Sequence, residues 1–444
     1  MKRLFGTDGV RGVFGEELTK KLAYDLGKYG SYVLSKGKLN AKIVIGMDTR
    51  ESGKPLEKAL VDGITSAGYE VILAGVVPTP AIAVITRTLG ADAGVVISAS
   101  HNPYQFNGIK FFNGQGYKLS DQLEDEIQSH IEAQTELNVS KEGVVTTLND
   151  PSKIYLDFIK NIFQNSLMGL SIALDCANGA AYKIAKDYFS DLEAKTYIMG
   201  NHPDGKNINK ECGSTHLDSL KALVLEEKCD IGFAFDGDAD RCLAIDNNGE
   251  IIDGDAILNI ISRDMQNQGK LNQDTVVVTV MSNIGLDVAL KESGRKSEKT
   301  KVGDRYVLEK MQESNYNIGG EQSGHIILLD HNTTGDGLLS AAYLASILKK
   351  GSNTAAELNQ LMKTYPQILV NAHVENSKKY DYLNDPIIQE RIQSVEQHFQ
   401  DNGRVLIRPS GTEPLVRVMI EGENQDELDL IAHDLAQLIE NRLN

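Results

Sequence analysis

The sequence predicts an α/β protein of four domains: three similar α/β domains followed by a smaller C-terminal α+β domain. Three observations carry this. The chain has 444 residues, room for three or four domains at roughly 100–200 residues each. Short apolar runs alternate with longer amphipathic stretches, the mark of βαβ units and a mostly parallel sheet. The rhythm restarts near Pro151 and near residue 253, then changes character after Tyr365-Pro366. The domain limits so drawn are 1–150, 151–252, 253–366 and 367–444. No residue-level repeat relates the first three.

The elements follow in order. Lys42–Gly46 (KIVIG) reads as a buried strand and Lys54–Ser66 as a helix. Glu70–Gly75 is a second strand, Ala81–Leu89 a helix and Ala93–Ile97 (AGVVI) a third strand. Asp121–Thr135 reads as a charged surface helix. In the second domain Ser171–Asp175, Lys195–Met199 and Asp230–Phe235 read as strands, with a helix over Leu217–Glu227. The third holds strands at Thr275–Met281 and Ile326–Leu329, and a helix from Asp336 to Lys349 that opens on an aspartate, as a helix N-cap should. The fourth holds an extended run Ile368–Val374, strands Arg404–Ile407 and Leu415–Ile420, and helices Asp385–Asp401 and Asp426–Leu443. A compact chain of this kind places its active site where the domains meet.

Composition excludes several classes. Acidic residues number 62 against 45 basic, a formal charge of −17, which opposes general nucleic-acid binding and a polybasic membrane anchor. No run of about 18 apolar residues is present, so no transmembrane helix is expected. The first residues carry two cations with no apolar core behind them, so no secretory signal is expected, and Lys2 excludes N-myristoylation. Cys176, Cys212, Cys229 and Cys242 form no C-x-x-C pair and read as reduced thiols of a cytoplasmic protein.

Four polar loops interrupt the pattern. Ser98-Ala99-Ser100-His101-Asn102-Pro103 starts where a buried strand stops, the place where open α/β sheets gather ligands; an ordinary turn accounts for it equally well. Asp236, Asp238 and Asp240 stand at alternate positions beyond another buried strand. Two carboxylates ~4 Å apart repel by about 4 kcal/mol at an effective dielectric of 20, so three in a tight loop call for a cation. Oxygen-only ligands select Mg²⁺, Mn²⁺ or Ca²⁺. Glycines bracket Glu321-Gln322-Ser323, where a carboxylate and a hydroxyl suit sugar hydroxyls, or a plain turn. Arg408-Pro409-Ser410-Gly411-Thr412-Glu413-Pro414, with Arg417 beyond, offers forked cations and exposed backbone N–H groups to an anion, or is a solvated turn. No Walker A loop and no G-x-G-x-x-G occur. Taken together, a hydroxyl, a divalent cation, a sugar contact and a phosphate contact describe phosphoryl transfer on a phosphorylated sugar.

The same runs resemble the α-D-phosphohexomutase superfamily over essentially the whole chain. They are FGTDGVRG at 5–12, GMDTRESG at 46–53, SASHNP at 98–103, NGIKFF at 107–112, PDGKNIN at 203–209, CGSTH at 212–216, DGDADR at 236–241, VGDR at 302–305, GGEQSGH at 319–325, TTGDG at 333–337 and RPSGTEP at 408–414. Gln322 looks like the glucosamine branch. Tyr104-Gln105-Phe106 departs from the pattern, since an acidic residue commonly precedes the Asn-Gly. The resemblance implies a phosphohexomutase-like architecture with the active site in the central cleft. It implies that Ser100 is a phosphoserine and that Asp236, Asp238 and Asp240 bind one Mg²⁺ together with an oxygen of that phosphate. Glu321 and Ser323 would bind sugar hydroxyls. Arg408, Ser410, Gly411, Thr412 and Arg417 would hold the unreacting phosphate. Arg11, His101 and Lys110 match positions near the reacting one, with the proton handled by Lys110 or His101.

The implied reaction interconverts glucosamine 6-phosphate and glucosamine 1-phosphate through a 1,6-bisphosphate, feeding UDP-N-acetylglucosamine and cell-wall precursor synthesis. Glucosamine or glucose 1,6-bisphosphate is the expected primer. The expected partner is a small phosphosugar, with no nucleic acid or membrane; a homodimer and an activating kinase are compatible with it. The fourth domain is expected to move about Tyr365-Pro366. Three alternatives stay open: phosphomannomutase/phosphoglucomutase activity on the same scaffold, an aspartyl-phosphate enzyme of the haloacid-dehalogenase type, and a non-enzymatic phosphosugar sensor.

Overall fold

The computed structural model describes residues 3–6, 8–400, 403–410 and 413–444. It divides into two compact units: 1–281 with 294–361, and 282–293 with 362–444.

Among the described residues, the first unit contains three sheets. One holds β1 (Val10–Val13), β2 (Lys42–Met47), β3 (Glu70–Val76), β4 (Ala93–Ile97), β5 (Phe106–Asn113) and β6 (Val145–Thr147), ordered β1-β5-β4-β2-β3-β6. The next holds β7 (Ser171–Asp175), β8 (Lys195–Met199), β9 (Ile231–Phe235), β10 (Cys242–Asp246) and β11 (Ile251–Ile252), ordered β11-β10-β9-β7-β8. The third holds β12 (Thr275–Thr279), β13 (Lys296–Thr300), β14 (Ile318–Gly320) and β15 (Ile326–Leu328), ordered β13-β12-β14-β15.

One motif is used in all three sheets. Three parallel strands lie second-first-third, and a fourth adds antiparallel beside the third: β3-β2-β4-β5, β8-β7-β9-β10 and β13-β12-β14-β15. The repeat lives in topology, which explains why no repeat shows in residues. It also places the functional loops. Ser98–Gln105, Asp236–Arg241 and Glu321–His325 each join the third strand of a motif to its fourth. At that reversal a carboxyl-end loop must turn the chain back at once, so its polar residues gather beyond the sheet's carboxyl edge.

The expected strands are present within a residue or two, because fully buried runs such as β4 and β9 have no other place to go. Helix Asp121–Ala133 is capped by Ser120, whose side chain accepts from Leu123 N–H. Asp336 caps helix Gly337–Lys350 as expected, accepting from Leu339 N–H. The sequence reading assigns no element to β5, which carries Lys110 and begins one residue after the polar loop ends. The four cysteines are unpaired and buried.

The second unit contains β16 (Gln367–His373), β17 (Arg404–Pro409) and β18 (Leu415–Glu421), an antiparallel sheet ordered β16-β18-β17. Helices Pro386–Phe399 and Gln425–Leu443 belong to the same unit; Val418, Ile420, Leu435 and Ile439 lie in its core. Asp401, the expected end of the first of these helices, lies outside the described residues. Tyr365 exchanges two hydrogen bonds with the Asn283 side chain, at 3.0 and 2.9 Å. Tyr365-Pro366 therefore lies inside this unit and not at its edge, which falls between Leu361 and Met362.

Candidate active site

The serine loop is held in an unusual shape. Ser100 is buried and has φ +54°, left-handed for a non-glycine residue, which costs about 1 kcal/mol or more and persists only where neighbours enforce it. The neighbours are identifiable. Ser100 N–H donates to Ser98 Oγ at 2.9 Å, and Ser98 Oγ donates to Asp48 at 2.6 Å. Arg50 is buried, bonded to Asp48 at 2.9 Å, and forks onto the carbonyls of Ser100, Asn102 and Pro103 at 2.9, 2.7 and 2.5 Å. Asn209 Nδ2 donates to the same Ser100 carbonyl at 2.9 Å. Gly237 approaches it so closely that a Cβ there would lie 2.6 Å from the oxygen.

The aspartate loop meets the serine from the next domain. Asp236, Asp238 and Asp240 are buried, each with a carboxylate oxygen within 4.8 Å of the others'. Ser100 Oγ donates to Asp236 Oδ2 at 2.6 Å. Burial, then the charges of Asp238 and Asp240, push the Asp236 carboxyl well above the ordinary range. Asp240 goes the other way: burial opposes its charge, but Lys110 and His325 hold it well below that range. Asp238 Oδ1 and Asp240 Oδ1 are buried with no hydrogen-bond partner; His325 Nδ1 lies 3.5 Å from the latter. Two orphaned carboxylate oxygens beside a third carboxylate fit a hard divalent cation. Asp236, Asp238 and Asp240 would hold it.

A cationic web surrounds these carboxylates. Lys110, on β5, contacts Asp8 at 2.8 Å, Asp238 at 2.9 Å and Asp240 at 3.6 Å. Burial disfavours its charge, yet Asp238, Asp8 and Asp240 more than compensate, and its ammonium stays above the ordinary lysine range. Such a lysine is a retained cation and not a ready base. Arg11 pairs with Asp8, and its Nε is buried and unbonded. His101 Nδ1 lies 3.3 Å from Ser100 Oγ. Burial, then Arg241 and Arg11, push the His101 imidazole down to about 4, so it is neutral near pH 7.

The Glu321–His325 loop borders the same space. A cavity of about 560 Å³ is lined by Arg11, His101, Asp240, Arg241, Glu321 and His325, among others, within the range of small-molecule clefts. Glu321 Oε1 accepts from Gly303 N–H at 3.1 Å. Ser323 is not in that lining; its Oγ is buried without a hydrogen-bond partner. Gln322 Nε2 donates to Asp253 at 3.1 Å, so this side chain braces the loop against a helix cap.

In the second unit, Arg408 and Arg417 stand directly opposite in the β17–β18 ladder. Like charges so placed are unfavourable, and burial, then Arg417, lower the Arg408 guanidinium. Arg417 also pairs with Glu413 at 3.1 Å, and an anion between the two guanidiniums would relieve the remaining repulsion. Lys379 is buried and donates to the carbonyls of Ser410 and Glu413. Gly411 and Thr412 lie outside the described residues.

The structure therefore brings Ser100, His101, Lys110, Arg11, Asp236, Asp238 and Asp240 together, with Glu321 on the adjoining cavity. Asp8, Arg50, Thr79, Lys118, Asn209, Arg241, Asp304 and His325 have no role assignable from the sequence pattern alone. All but Thr79 and Lys118 sit in the quoted motifs, which was the available signal. Lys118 bonds both Asp8 and Asp304, and His325 Nε2 lies 3.3 Å from Asp304.

Comparison with known proteins agrees. Residues 2–138, 153–249 and 253–365 match the phosphoglucomutase/phosphomannomutase alpha/beta/alpha domains I, II and III, and 369–438 match the C-terminal domain of that family. The chain belongs to the phosphoglucomutase/phosphomannomutase family, within the phosphohexomutases. It is 56% identical over 446 residues to a phosphoglucosamine mutase of Clostridium tetani, covering 100% of both chains. Among solved structures it is similar to a phosphoglucomutase/phosphomannomutase family protein of Burkholderia thailandensis, with TM-score 0.82, 25% identity, and 99% and 97% of the two chains covered. It shares the fold of an Aspergillus fumigatus N-acetylphosphoglucosamine mutase solved with GlcNAc-6P and magnesium, at TM-score 0.69 and 18% identity, with 99% and 96% covered.

Proposed function

We propose that this chain is an isomerase that interconverts glucosamine 6-phosphate and glucosamine 1-phosphate by passing a phosphoryl group through Ser100. The observation that carries the reading is the buried Ser100 hydroxyl, 2.6 Å from Asp236 in a cluster of three carboxylates. The full-length likeness to the Clostridium tetani enzyme favours the glucosamine substrate.

A divalent cation, Mg²⁺ in this reading, supplies neutralisation of charge on the transferring group. The chain's own residues do the rest. Arg50 and Asn209 fix the Ser100 carbonyl and so aim its hydroxyl. Lys110 and Arg11 place fixed positive charge beside the transferring oxygens. His101, neutral and 3.3 Å from Ser100 Oγ, exchanges the proton. Glu321 and Ser323 accept sugar hydroxyls in both orientations of the bisphosphate, and Arg408, Ser410, Gly411, Thr412 and Arg417 hold the remote phosphate. The domain limits 1–150, 151–252, 253–366 and 367–444 are part of the proposal, supported by one sheet falling within each; the compact unit that holds the last sheet also takes in 282–293 and 362–366. So are a cytoplasmic location, a homodimer, and priming of Ser100 by a hexose 1,6-bisphosphate or a kinase.

The test is transfer of ³²P from labelled enzyme to glucosamine 6-phosphate, beside kcat/KM for glucosamine, glucose and mannose phosphates. Ser100→Ala is expected to abolish label and turnover with an unchanged melting temperature. Wild-type turnover by that variant refutes the proposal. Highest kcat/KM on mannose or glucose phosphate moves the substrate assignment to phosphomannomutase/phosphoglucomutase activity.

A further inference from the structure

Asp238 is held differently from its two neighbours. Its Oδ2 accepts two hydrogen bonds, from Thr79 Oγ1 at 2.6 Å and from Lys110 Nζ at 2.9 Å. Its Oδ1 is buried and has no hydrogen-bond partner. Thr79 also donates its backbone N–H to the Asp238 carbonyl, at 2.9 Å. This residue begins the helix Thr79–Thr88, whose N-cap, Pro78, makes no side-chain cap bond. A threonine at a helix start ordinarily serves its own helix. Here the hydroxyl, fully buried, crosses to a carboxylate 159 positions away in the next domain.

We propose that Thr79 is a positioning residue for the cation site: it turns the Asp238 carboxylate so that Oδ1 alone faces the metal. This rests on reading the three aspartates as a divalent-cation site. The physical need is clear from the other donor. Lys110 is shared with Asp8 at 2.8 Å and Asp240 at 3.6 Å, and an ammonium is a point charge that follows whichever oxygen approaches. Only the directional O–H of Thr79, anchored by its backbone bond to the same residue, fixes which oxygen is used. Hydrogen bonds that orient metal ligands typically change metal affinity 10–100-fold when removed.

The test uses Mn²⁺ as probe, titrated into the full-length enzyme and followed by the electron paramagnetic resonance signal of free ion. Wild type is expected to take up one Mn²⁺ per chain, and Asp238→Asn sets the floor. Thr79→Val keeps the shape and deletes the hydroxyl; Thr79→Ala deletes it with less crowding, should the valine variant fold poorly. Either is expected to weaken Mn²⁺ binding about 10–100-fold, while Thr79→Ser, which keeps the O–H, stays within roughly threefold of wild type. The Mg²⁺ concentration for half-maximal activity should rise in parallel, with KM for the phosphosugar unchanged. Wild-type Mn²⁺ affinity in the valine and alanine variants overturns the proposal, as does a serine variant as weak as they are. If wild type itself takes up no Mn²⁺, the cation reading of the aspartates falls first, and the role of Thr79 with it.

Discussion

Gly237 stands where the aspartate loop passes the serine loop. A Cβ built there meets the Ser100 carbonyl oxygen at 2.6 Å, Ile208 Cδ1 at 2.8 Å and Asn209 Nδ2 at 3.0 Å. Ordinary contact begins at 3.4 Å, so Gly237→Ala must open the loops by about 0.8 Å. The Ser100 carbonyl cannot retreat, since Arg50 and Asn209 both hold it at 2.9 Å. The aspartate loop moves instead, and the 2.6 Å bond from Ser100 to Asp236 stretches beyond useful hydrogen-bond length. Misplacement of about 1 Å costs roughly 10²-fold in rate; about 30- to 100-fold in kcat is expected here. The assay is steady-state conversion of glucosamine 6-phosphate at saturating Mg²⁺, beside single-turnover transfer of ³²P from the enzyme. A melting temperature near wild type and unchanged phosphosugar binding separate this effect from unfolding. A kcat within threefold of wild type would falsify the claim that the two loops are spaced for transfer.

Other expectations follow from the same geometry. Arg50→Lys replaces a fork that reaches three carbonyls with a single ammonium; kcat should fall about tenfold or more, worth roughly 1.4 kcal/mol, with KM little changed, and steady-state kinetics read it. Arg408→Ala removes one of two opposed cations, so KM for both hexosamine phosphates should rise about tenfold or more while kcat falls less; equal loss in kcat alone would count against a phosphate-holding role. The thiols give a pH test. Burial, then Asp175, push Cys212 up to about 12, and burial, then Glu227, push Cys229 up to about 11. Unfolded thiols ionise near pH 8.5, so the folded state keeps protons that the unfolded state releases. Their contribution to stability is complete below about pH 8.5 and declines as pH rises through about 11 for Cys229 and about 12 for Cys212. Native protein treated with iodoacetamide at pH 8.5 should label about 100-fold more slowly than protein in urea; equal rates would show that these thiols are accessible.

Much of this protein is legible one segment at a time. β4 and β9 are buried along their whole length, so their apolar runs announce strands, and the polar runs that follow announce loops at a sheet's carboxyl edge. The chemistry of Ser100, of the three aspartates and of the Arg408 loop is likewise local, because residue type alone says what each can bind. β5 was not assigned from the sequence: its run FNGIKFFN carries strand-forming residues but follows the polar loop with no break, and the ladder with β1 and β4 fixes its place. That ladder delivers Lys110 to Asp238, a contact across 128 positions. The same limit hid Arg50, Thr79 and Asn209, whose tasks are hydrogen bonds to distant carbonyls and carboxylates. Gln322 shows the converse, since its place between the glycines of the Glu321 loop suggests recognition while its amide is bonded to a helix cap.

The sequence by itself determined the α/β class, the repeating strand–helix rhythm and the donor chemistry of each loop, since these depend on neighbours along the chain. Only the tertiary structure decided which oxygens of Asp238 and Asp240 are left for a cation and which partner fixes the serine. Those choices are made by directional bonds between segments that are remote in sequence, and direction is absent from a linear pattern.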